Sequence, residues 1–468
     1  MVVTPHDKSE VSLKSAVSSK PAVLTGPGIA ANEQAGFSAG YRNYALFVLL
    51  LGYIVNFVDR SILAILLEPI KHDLDLNDTQ LGFLGGLAFA LFYSTLGIPI
   101  AALADRWSRT KVLSIAIVVW SGMTALCGMA GNFWHLLIAR IGVGVGEAGA
   151  SPPSHSLISD YFPIDKRATA LSIYALGIPI GSMIGYGLGG WSADNFGWRN
   201  TFFIVGFPGL AVAALLFFTL REPPRGLSEA ADTQAAEPEG SPSMRQVFGH
   251  LLKKPSFCFM SLACGLHAFV SYGVSTWNPA FLERLHDMSR TEIGGWVALA
   301  SAISAIGTFG GGFLADKLFN RSGDRRWYLW IPAIATLVMV PFQLVTYLHP
   351  SFPVLYTALC IAAVLSGMYL GPSFAMTQAL VTLRMRAVAS AILLLVLNLI
   401  GMGLGPFFIG FMSDMFEPSQ GILALRYAIC VSLIFNVIAA GLYFAGAKTI
   451  RRDISDTEQL MRERAQTA

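Results

Sequence analysis

The chain has few charged residues for its length: Asp, Glu, Lys and Arg make up 13% of 468 residues. Soluble domains carry roughly 25% charged residues, so this composition excludes an ordinary water-soluble domain. The sequence has no nucleotide-binding loop, metal-ligand cluster or nucleophile–base signature. The glycine-rich string at 142–148 lies inside an apolar run, not after a strand, which excludes a dinucleotide site. We therefore expect no enzyme activity, cofactor, metal or nucleic-acid partner.

We expect neither an N-terminal signal peptide nor a disulfide framework in this chain. Residues 1–40 are polar and rich in Ser, Ala and Gly, and we expect a disordered tail there. The five cysteines all lie inside apolar segments, and an odd number in that setting indicates packing residues.

Hydrophobic residues, in contrast, make up 54% of the chain. Apolar runs of about 20 residues recur, each long enough to cross roughly 30 Å of hydrocarbon as a helix. The pattern predicts an all-α membrane protein with twelve transmembrane helices. The predicted spans are 42–68, 80–104, 112–131, 134–160, 168–191, 200–220, 256–282, 292–316, 327–348, 352–380, 387–413 and 423–447.

Lys and Arg residues are concentrated in alternate loops and in both tails. The positive-inside rule places these loops and both termini in the cytoplasm, which requires an even number of spans. The short loops are typical of a bacterial inner-membrane protein, so we expect a multi-pass protein of the plasma membrane.

The two halves of the chain resemble each other. Asn77–Gln80 before the second span and Ser289–Glu292 before the eighth both have capping-box form. An internal repeat of six helices predicts two bundles packed face to face with a substrate path between them. The predicted units are a tail (1–40), a bundle (41–220), a linker (221–255) with a short amphipathic helix near 244–254, a second bundle (256–447) and a cytoplasmic tail (448–468).

Asp59 and Arg60 lie side by side in the middle of the first span. A charge at that depth costs from about 2.5 to over 10 kcal/mol, so such residues are usually functional. Arg140 and Glu147, seven residues apart, share one face of the fourth span at a similar depth, and Gly144 between them leaves room for a ligand or the first helix. The four charges predict one site lining a cavity in the first bundle.

These four charges sum to zero when all are ionised. Protonation of Asp59 or Glu147 would leave a net positive charge that attracts an anion, which makes both acids candidates for proton coupling. Arg60 and Arg140 can hold a phosphate bidentately. The alternative is a permanent ion-pair network that pins the first span to the fourth.

The second half has no mid-span acid or base to match these. Its candidate substrate contacts are the polar residues Tyr272, Asn278, Tyr369 and Asn398. The asymmetry suits an amphipathic substrate with its head group on the first bundle and its acyl chain on the second.

The loop after the second span, with Asp105, Arg106, Arg109 and Lys111, resembles the D-R-x-G-R-[KR] signature of the major facilitator superfamily. The loop after the eighth span resembles it too, through Asp316 and Lys317. Two departures are Ala101 and Ser108, where the signature has Gly. The resemblance implies that these loop residues act in gating.

The strings NFVDRS (56–61) and RIGVGVGEA (140–148) are similar to the Spinster group of that superfamily. The resemblance implies a monomeric, alternating-access secondary transporter embedded among membrane lipids. Its implied substrate is an anionic amphipathic lipid, such as a lysophospholipid or a sphingosine-1-phosphate-like molecule, moved with protons. Two alternatives stay open: a proton symporter of a small organic anion, and a non-transporting receptor on the same fold.

Overall fold

The structure is a computed structural model that describes residues 37–225, 227, 244–382 and 385–467. The predicted disordered tail therefore lies outside the described residues except at its end, where the first helix begins at Ala39.

Six helices precede the linker, and several are interrupted. They are α1, Ala39–Leu74; α2, built from Asp78–Gly82, the π-helical turn Phe83–Leu87 and Ala88–Arg106; α3, Arg109–Cys127; α4, built from Phe133–Glu147 and Ser151–Tyr161; α5, built from Ile164–Ala175 and the first part of Gly177–Thr219; and α6, the part of that helix after a kink at Gly197.

Six more follow the linker helix, Met244–Leu252. They are α7, Pro255–His286; α8, Arg290–Ser322; α9, Trp327–Leu348; α10, built from Phe352–Gly367 and Leu370–Ala379; α11, built from Arg386–Val396, the π-helical turn Leu397–Leu404 and Gly405–Gln420; and α12, built from Ala424–Ser432 and Ile434–Thr467 after the turn Gly421–Leu423.

The described helices give the predicted twelve crossings. Nine helical stretches within the described ranges are long and apolar enough to cross a membrane. Two of them, Thr169–Thr219 and Arg386–Gln459, hold two crossings each, because the backbone takes positive φ at Gly197 and Gly421. The remaining crossing is α4, whose halves are separated at 148–150 and are each too short to span alone.

Both predicted capping boxes are present. Asn77 accepts from the Gln80 N–H while Gln80 caps Asn77 in return, and Ser289 and Glu292 do the same at α8. The repeat predicted from these two tetrapeptides is thus visible as matching helix starts in the two halves.

Glycines on one face of α5 allow it to lie directly against α1. A Cβ at Gly181 would come within 2.5 Å of the Ile54 carbonyl oxygen, and one at Gly185 within 3.0 Å of the Val58 carbonyl oxygen. This close packing fixes the depth of α1, which carries Asp59 and Arg60.

Candidate functional site

Both described ends of the chain lie on one side of the twelve crossings, and we call it the terminal side; the opposite one is the distal side. Asp59 lies fifteen residues before the distal end of α1 at Leu74, and Glu147 lies fourteen residues after the distal start of α4 at Phe133. At about 1.5 Å per residue the two acids are at nearly the same depth.

The structure brings the four predicted charges together. Arg60 Nε donates to Glu147 Oε2 at 2.6 Å, and this ion pair joins α1 to α4. Asp59 is fully buried beside it and accepts a hydrogen bond of 3.1 Å from Thr124 Oγ1 on α3. Arg140 is 3% exposed and lies within electrostatic range of both acids.

The hydrogen bonding of this site is incomplete. Arg140 Nε, Asp59 Oδ1, Glu147 Oε1 and Asn56 Nδ2 are buried and make no hydrogen bond of normal geometry with another described residue, although Asn56 lies close enough to Glu147 to act on it as a donor. A buried charged group left unsatisfied costs more than about 1–3 kcal/mol, so such atoms in a native protein call for a water, an ion or a ligand.

Aromatic rings surround the Arg60 guanidinium. Its Cζ lies 5.2 Å from the Phe57 centroid, 5.2 Å from that of Phe89 and 4.6 Å from that of Tyr93. Sequence reasoning missed these rings. Phe57 precedes Arg60 by three residues and so shares its helix face, which was a usable signal. No local signal pointed to the α2 rings.

Gly144 does lie between Arg140 and Glu147, but its space is taken by α2. A Cβ there would come within 2.8 Å of the Phe89 carbonyl oxygen. The prediction that Gly144 leaves room for a ligand or for the first helix is therefore wrong. The glycine instead lets α2 approach closely enough to place Phe89 over Arg140 at 5.4 Å.

Of the candidates in the second bundle, two lie toward the charged site. Tyr272 on α7 is 39% exposed and within electrostatic range of Arg60. Tyr369, between the two parts of α10, lies near Tyr272 and packs 4.1 Å from the His267 ring. His267 is buried and bonded through both ring nitrogens.

The other two candidates are not joined to the charged site. Asn278 accepts a hydrogen bond of 2.7 Å from Tyr347, so it links α7 to α9 inside the second bundle. Asn398 is half-buried in the π-helical turn of α11.

The predicted gating residues make contacts within their own bundles. Arg109 is 1% exposed and binds Asp160 on α4, Glu222 after α6 and the Pro223 carbonyl oxygen. Arg106 and Lys111 are exposed, and the Asp105 side chain lies outside the described set. In the second half, Asp316 accepts from Tyr328 at 2.5 Å, and Lys317 lies 5.8 Å from the Phe313 ring. Their role in gating stays a prediction.

Glu222 holds the start of the linker on the first bundle. Its carboxylate accepts from the Thr110 N–H at 2.9 Å, Ser108 Oγ at 2.8 Å and Arg109 Nε at 2.7 Å. Partial burial acts to raise the pKa of Glu222, but these hydrogen bonds and the Arg109 charge outweigh it and lower the pKa below its usual value.

The two bundles are joined at the distal side. Arg284 on α7 donates to Glu68 on α1 at 2.6 Å and binds both oxygens of Asp78 on α2 at 2.7 Å. Ser413 on α11 donates to the same Asp78 at 2.7 Å. Among ion pairs formed by two described residues, those between the bundles all lie on this side.

Two carboxylates also cap helices of the opposite bundle. Asp414 on α11 accepts from the N–H groups of Asp78 and Thr79 at the start of α2, at 3.0 and 2.7 Å. Asp194 on α5 accepts from the N–H of Thr291 at the start of α8, at 2.8 Å. Sequence reasoning missed both contacts, although α2 with α8 and α5 with α11 are repeat-related helices.

Twelve crossings in two repeated bundles, joined on one side, define a two-bundle integral membrane transporter. The Major Facilitator Superfamily profile matches residues 49–406, and the chain belongs to this family. It is homologous to Spinster proteins: it is 27% identical over 440 residues to Protein spinster homolog 1 of Xenopus tropicalis, covering 88% of this chain and 82% of the relative.

Two bacterial proteins are more similar still. The MFS-type efflux pump of Mycolicibacterium smegmatis is 33% identical over 412 residues, which is 88% of this chain and 94% of the pump. The crystal structure of a bacterial homolog of the human lysosomal transporter Spinster, inward-facing and occupied, has a TM-score of 0.80 and 34% identity. The match covers 89% of this chain and 99% of the homolog.

Proposed function

We propose that this transporter moves an anionic amphipathic lipid, a lysophospholipid or sphingosine-1-phosphate-like molecule, by alternating access coupled to protons. The observation that carries the proposal is the buried Arg60–Glu147 pair, with Asp59 and Arg140 beside it and unsatisfied polar atoms on three of the four residues. Arg60 also keeps 19% of its side chain exposed.

In the proposed cycle, Glu147 and the anionic head group of the substrate compete for Arg60. Protonation of Glu147 breaks its ion pair with Arg60, and the freed guanidinium binds the anionic head group bidentately. Return of the carboxylate displaces the anion. Asp59 acts as the second proton carrier, and Arg140 supplies the positive field that attracts the substrate.

The rest of the substrate lies against the second bundle. In this proposal Tyr272, within electrostatic range of Arg60, and Tyr369 beside Tyr272 contact the substrate. The middles of the predicted spans in that half contain no Asp, Glu, Lys or Arg. Such a surface suits an acyl chain and offers little to a small hydrophilic anion. In this cycle the proton and the anion bind together and leave together, so both cross the membrane in the same direction.

The test uses proteoliposomes that contain only this protein and a radiolabelled lysophosphatidylglycerol. Arg60→Ala should reduce transport by more than about tenfold, because a hydrogen bond to a charged group contributes about 1.5–3 kcal/mol. Glu147→Gln should reduce it as strongly, because glutamine cannot ionise and displace the anion. Glu458→Gln, in an exposed pair with Arg325, is the matched control and should transport normally.

Competition by unlabelled compounds distinguishes a lipid substrate from a small organic anion. Long-chain lysolipids should inhibit transport, and short carboxylates such as glucuronate should not. Inhibition by the short carboxylates alone would favour a small-anion symporter. Near-normal transport by both site variants at matched protein levels would refute the proposed site.

A further inference from the structure

The linker helix presents two apolar stripes, of which the bundle covers one. Val247 and Leu251 are fully buried and belong to a cluster with Met260 of α7 and Leu380 beside α10. Met244, Phe248 and Leu252 form a second stripe at the same spacing and are 36%, 45% and 54% exposed. A helix in contact with water on that side would carry polar residues there.

Next to the exposed apolar stripe lies a basic one. At 100° per residue, Arg245, Gly249 and Lys253 follow the same four-residue spacing, one position further round the helix. Arg245 and Lys253 are exposed, and neither forms an ion pair with another described residue. The segment 244–254 contains no Asp or Glu to neutralise them.

The linker helix leads directly into α7, which carries exposed apolar residues of its own. Cys258 Sγ of α7 lies 3.5 Å from the Leu252 carbonyl oxygen. Further along α7, Phe259 and Leu262 are 37% and 43% exposed. The helix is therefore held at the terminal-side edge of the membrane-spanning region.

We propose that the linker helix, Met244–Leu252, is an in-plane membrane anchor that binds anionic lipids of the terminal-side leaflet. Met244, Phe248 and Leu252 enter the acyl-chain boundary, and Arg245 and Lys253 bind the lipid phosphates. An amphipathic helix with a basic stripe beside an apolar one is the arrangement that binds anionic bilayer surfaces.

Lipid bound at the linker helix also acts on the second bundle, because the helix packs against it. The helix packs on α7 and α11 of the second bundle, and His250 Nε2 lies 3.4 Å from the Leu380 carbonyl oxygen. Anionic lipid therefore stabilises the second bundle through this helix. Lipid binding at this helix is independent of the substrate that the transporter carries.

The first test measures the depth of the helix in vesicles of phosphatidylcholine and phosphatidylglycerol. The full chain, with its five cysteines replaced by Ala, carries a spin label at Phe248→Cys or at Gly249→Cys, where a side chain meets no atom within 4 Å. The label at 248 should be more accessible to oxygen than to a nickel chelate, and the label at 249 the reverse. A water-exposed label at 248, or one shielded from both reagents by protein, would overturn the proposal.

The second test measures thermal unfolding in detergent with added phosphatidylglycerol or phosphatidylcholine. Phosphatidylglycerol should raise the Tm of the wild type, and Arg245→Gln with Lys253→Gln should lose at least half of that increase. Arg321→Gln removes an exposed cation at the terminal-side end of α8 and should keep the full increase. An increase retained by the double variant, or one given equally by soluble glycerol phosphate, would contradict lipid binding at this helix.

Discussion

Glu147 is held by Arg60 through one carboxylate oxygen, while its second oxygen makes no hydrogen bond of normal geometry with another described residue. An ion pair that only stabilises the fold is expected to have all its hydrogen bonds formed, because desolvation of the two charges offsets most of their attraction. The unsatisfied atoms at Asp59 and Arg140 therefore support our proposal of a ligand-binding site over the alternative of a permanent pin between α1 and α4.

Glu222, a single carboxylate outside the membrane, fixes the start of the linker on the first bundle. Its lowered pKa means that its stabilising contribution is present in full above its ordinary pKa of about 4.3 and is lost as the pH falls through the lowered value. We expect Glu222→Gln to lower the Tm at pH 7 in detergent. The gap to wild type should narrow as the pH falls below about 4.

The comparison is made by thermal unfolding of both proteins across this pH range. Glu458→Gln, in an exposed pair, is the control and should unfold like the wild type at pH 7, because such pairs contribute about 0–1 kcal/mol. An equal Tm for Glu222→Gln and wild type at pH 7 would contradict the proposed role of this carboxylate.

At the scale of helices, α1 is positioned by its glycine-lined contact with α5. In Gly181→Ala the new Cβ would lie 2.5 Å from the Ile54 carbonyl oxygen and 2.7 Å from Phe57 Cβ. We expect a loss of about 1–3 kcal/mol from overpacking, seen as a lower Tm. Gly187→Ala on the same helix meets no atom within 4 Å and should be neutral or slightly stabilising.

The helix starts of α2 and α8 carry the distal contacts between bundles. Asp414 accepts from the N–H groups of Asp78 and Thr79, and Asp194 from that of Thr291, whereas the N-cap side chains of α2 and α8 bond to the third residue of each helix instead. Carboxylates also interact favourably with the positive end of the helix dipole. These caps exist only while the bundles touch on the distal side, so their loss favours the state that is open there.

Asp194→Ala with Asp414→Ala should therefore increase the distally open population. Each lost cap costs about 0.5–2 kcal/mol. Electron–electron distances are measured between spin labels at Asn195→Cys and Gln420→Cys, both of which are exposed. The double variant should show a larger fraction of molecules at the longer distance than the parent protein. Glu417→Gln, at the same end of α11 but without a hydrogen bond or ion pair to a described residue of the first bundle, should leave the distribution unchanged. An unchanged distribution in the double variant would show that the caps do not hold the distal side.

At the scale of the whole molecule, much of the fold could be predicted from the sequence. Apolar run lengths gave the twelve crossings, and the tetrapeptides at 77–80 and 289–292 gave the repeat. The depth of Asp59 and Glu147 followed from residue counting along two helices. All of these signals are local, because helix length and capping depend on neighbours in sequence.

The contacts that could not be predicted join residues far apart in the chain. Thr79 and Asp414 are 335 positions apart, and Arg284 and Glu68 are 216 apart. Which of many polar loop residues pair depends on how the bundles are docked, which no periodicity encodes. The α2 rings over Arg60 and the loss of space at Gly144 have the same cause, since both depend on the approach of α2 to α4.

Proton-coupled transport of an anionic lysolipid through Arg60 and Glu147 is tested most directly by flux in proteoliposomes containing only this protein, with and without an imposed pH gradient. A gradient that is acidic on the side from which the lysolipid is taken should accelerate wild-type transport. In Glu147→Gln with Asp59→Asn, which removes both proposed proton carriers, any remaining flux should be insensitive to the gradient. Wild-type flux that is the same with and without the gradient, or a double variant that still responds to it, would contradict this mechanism.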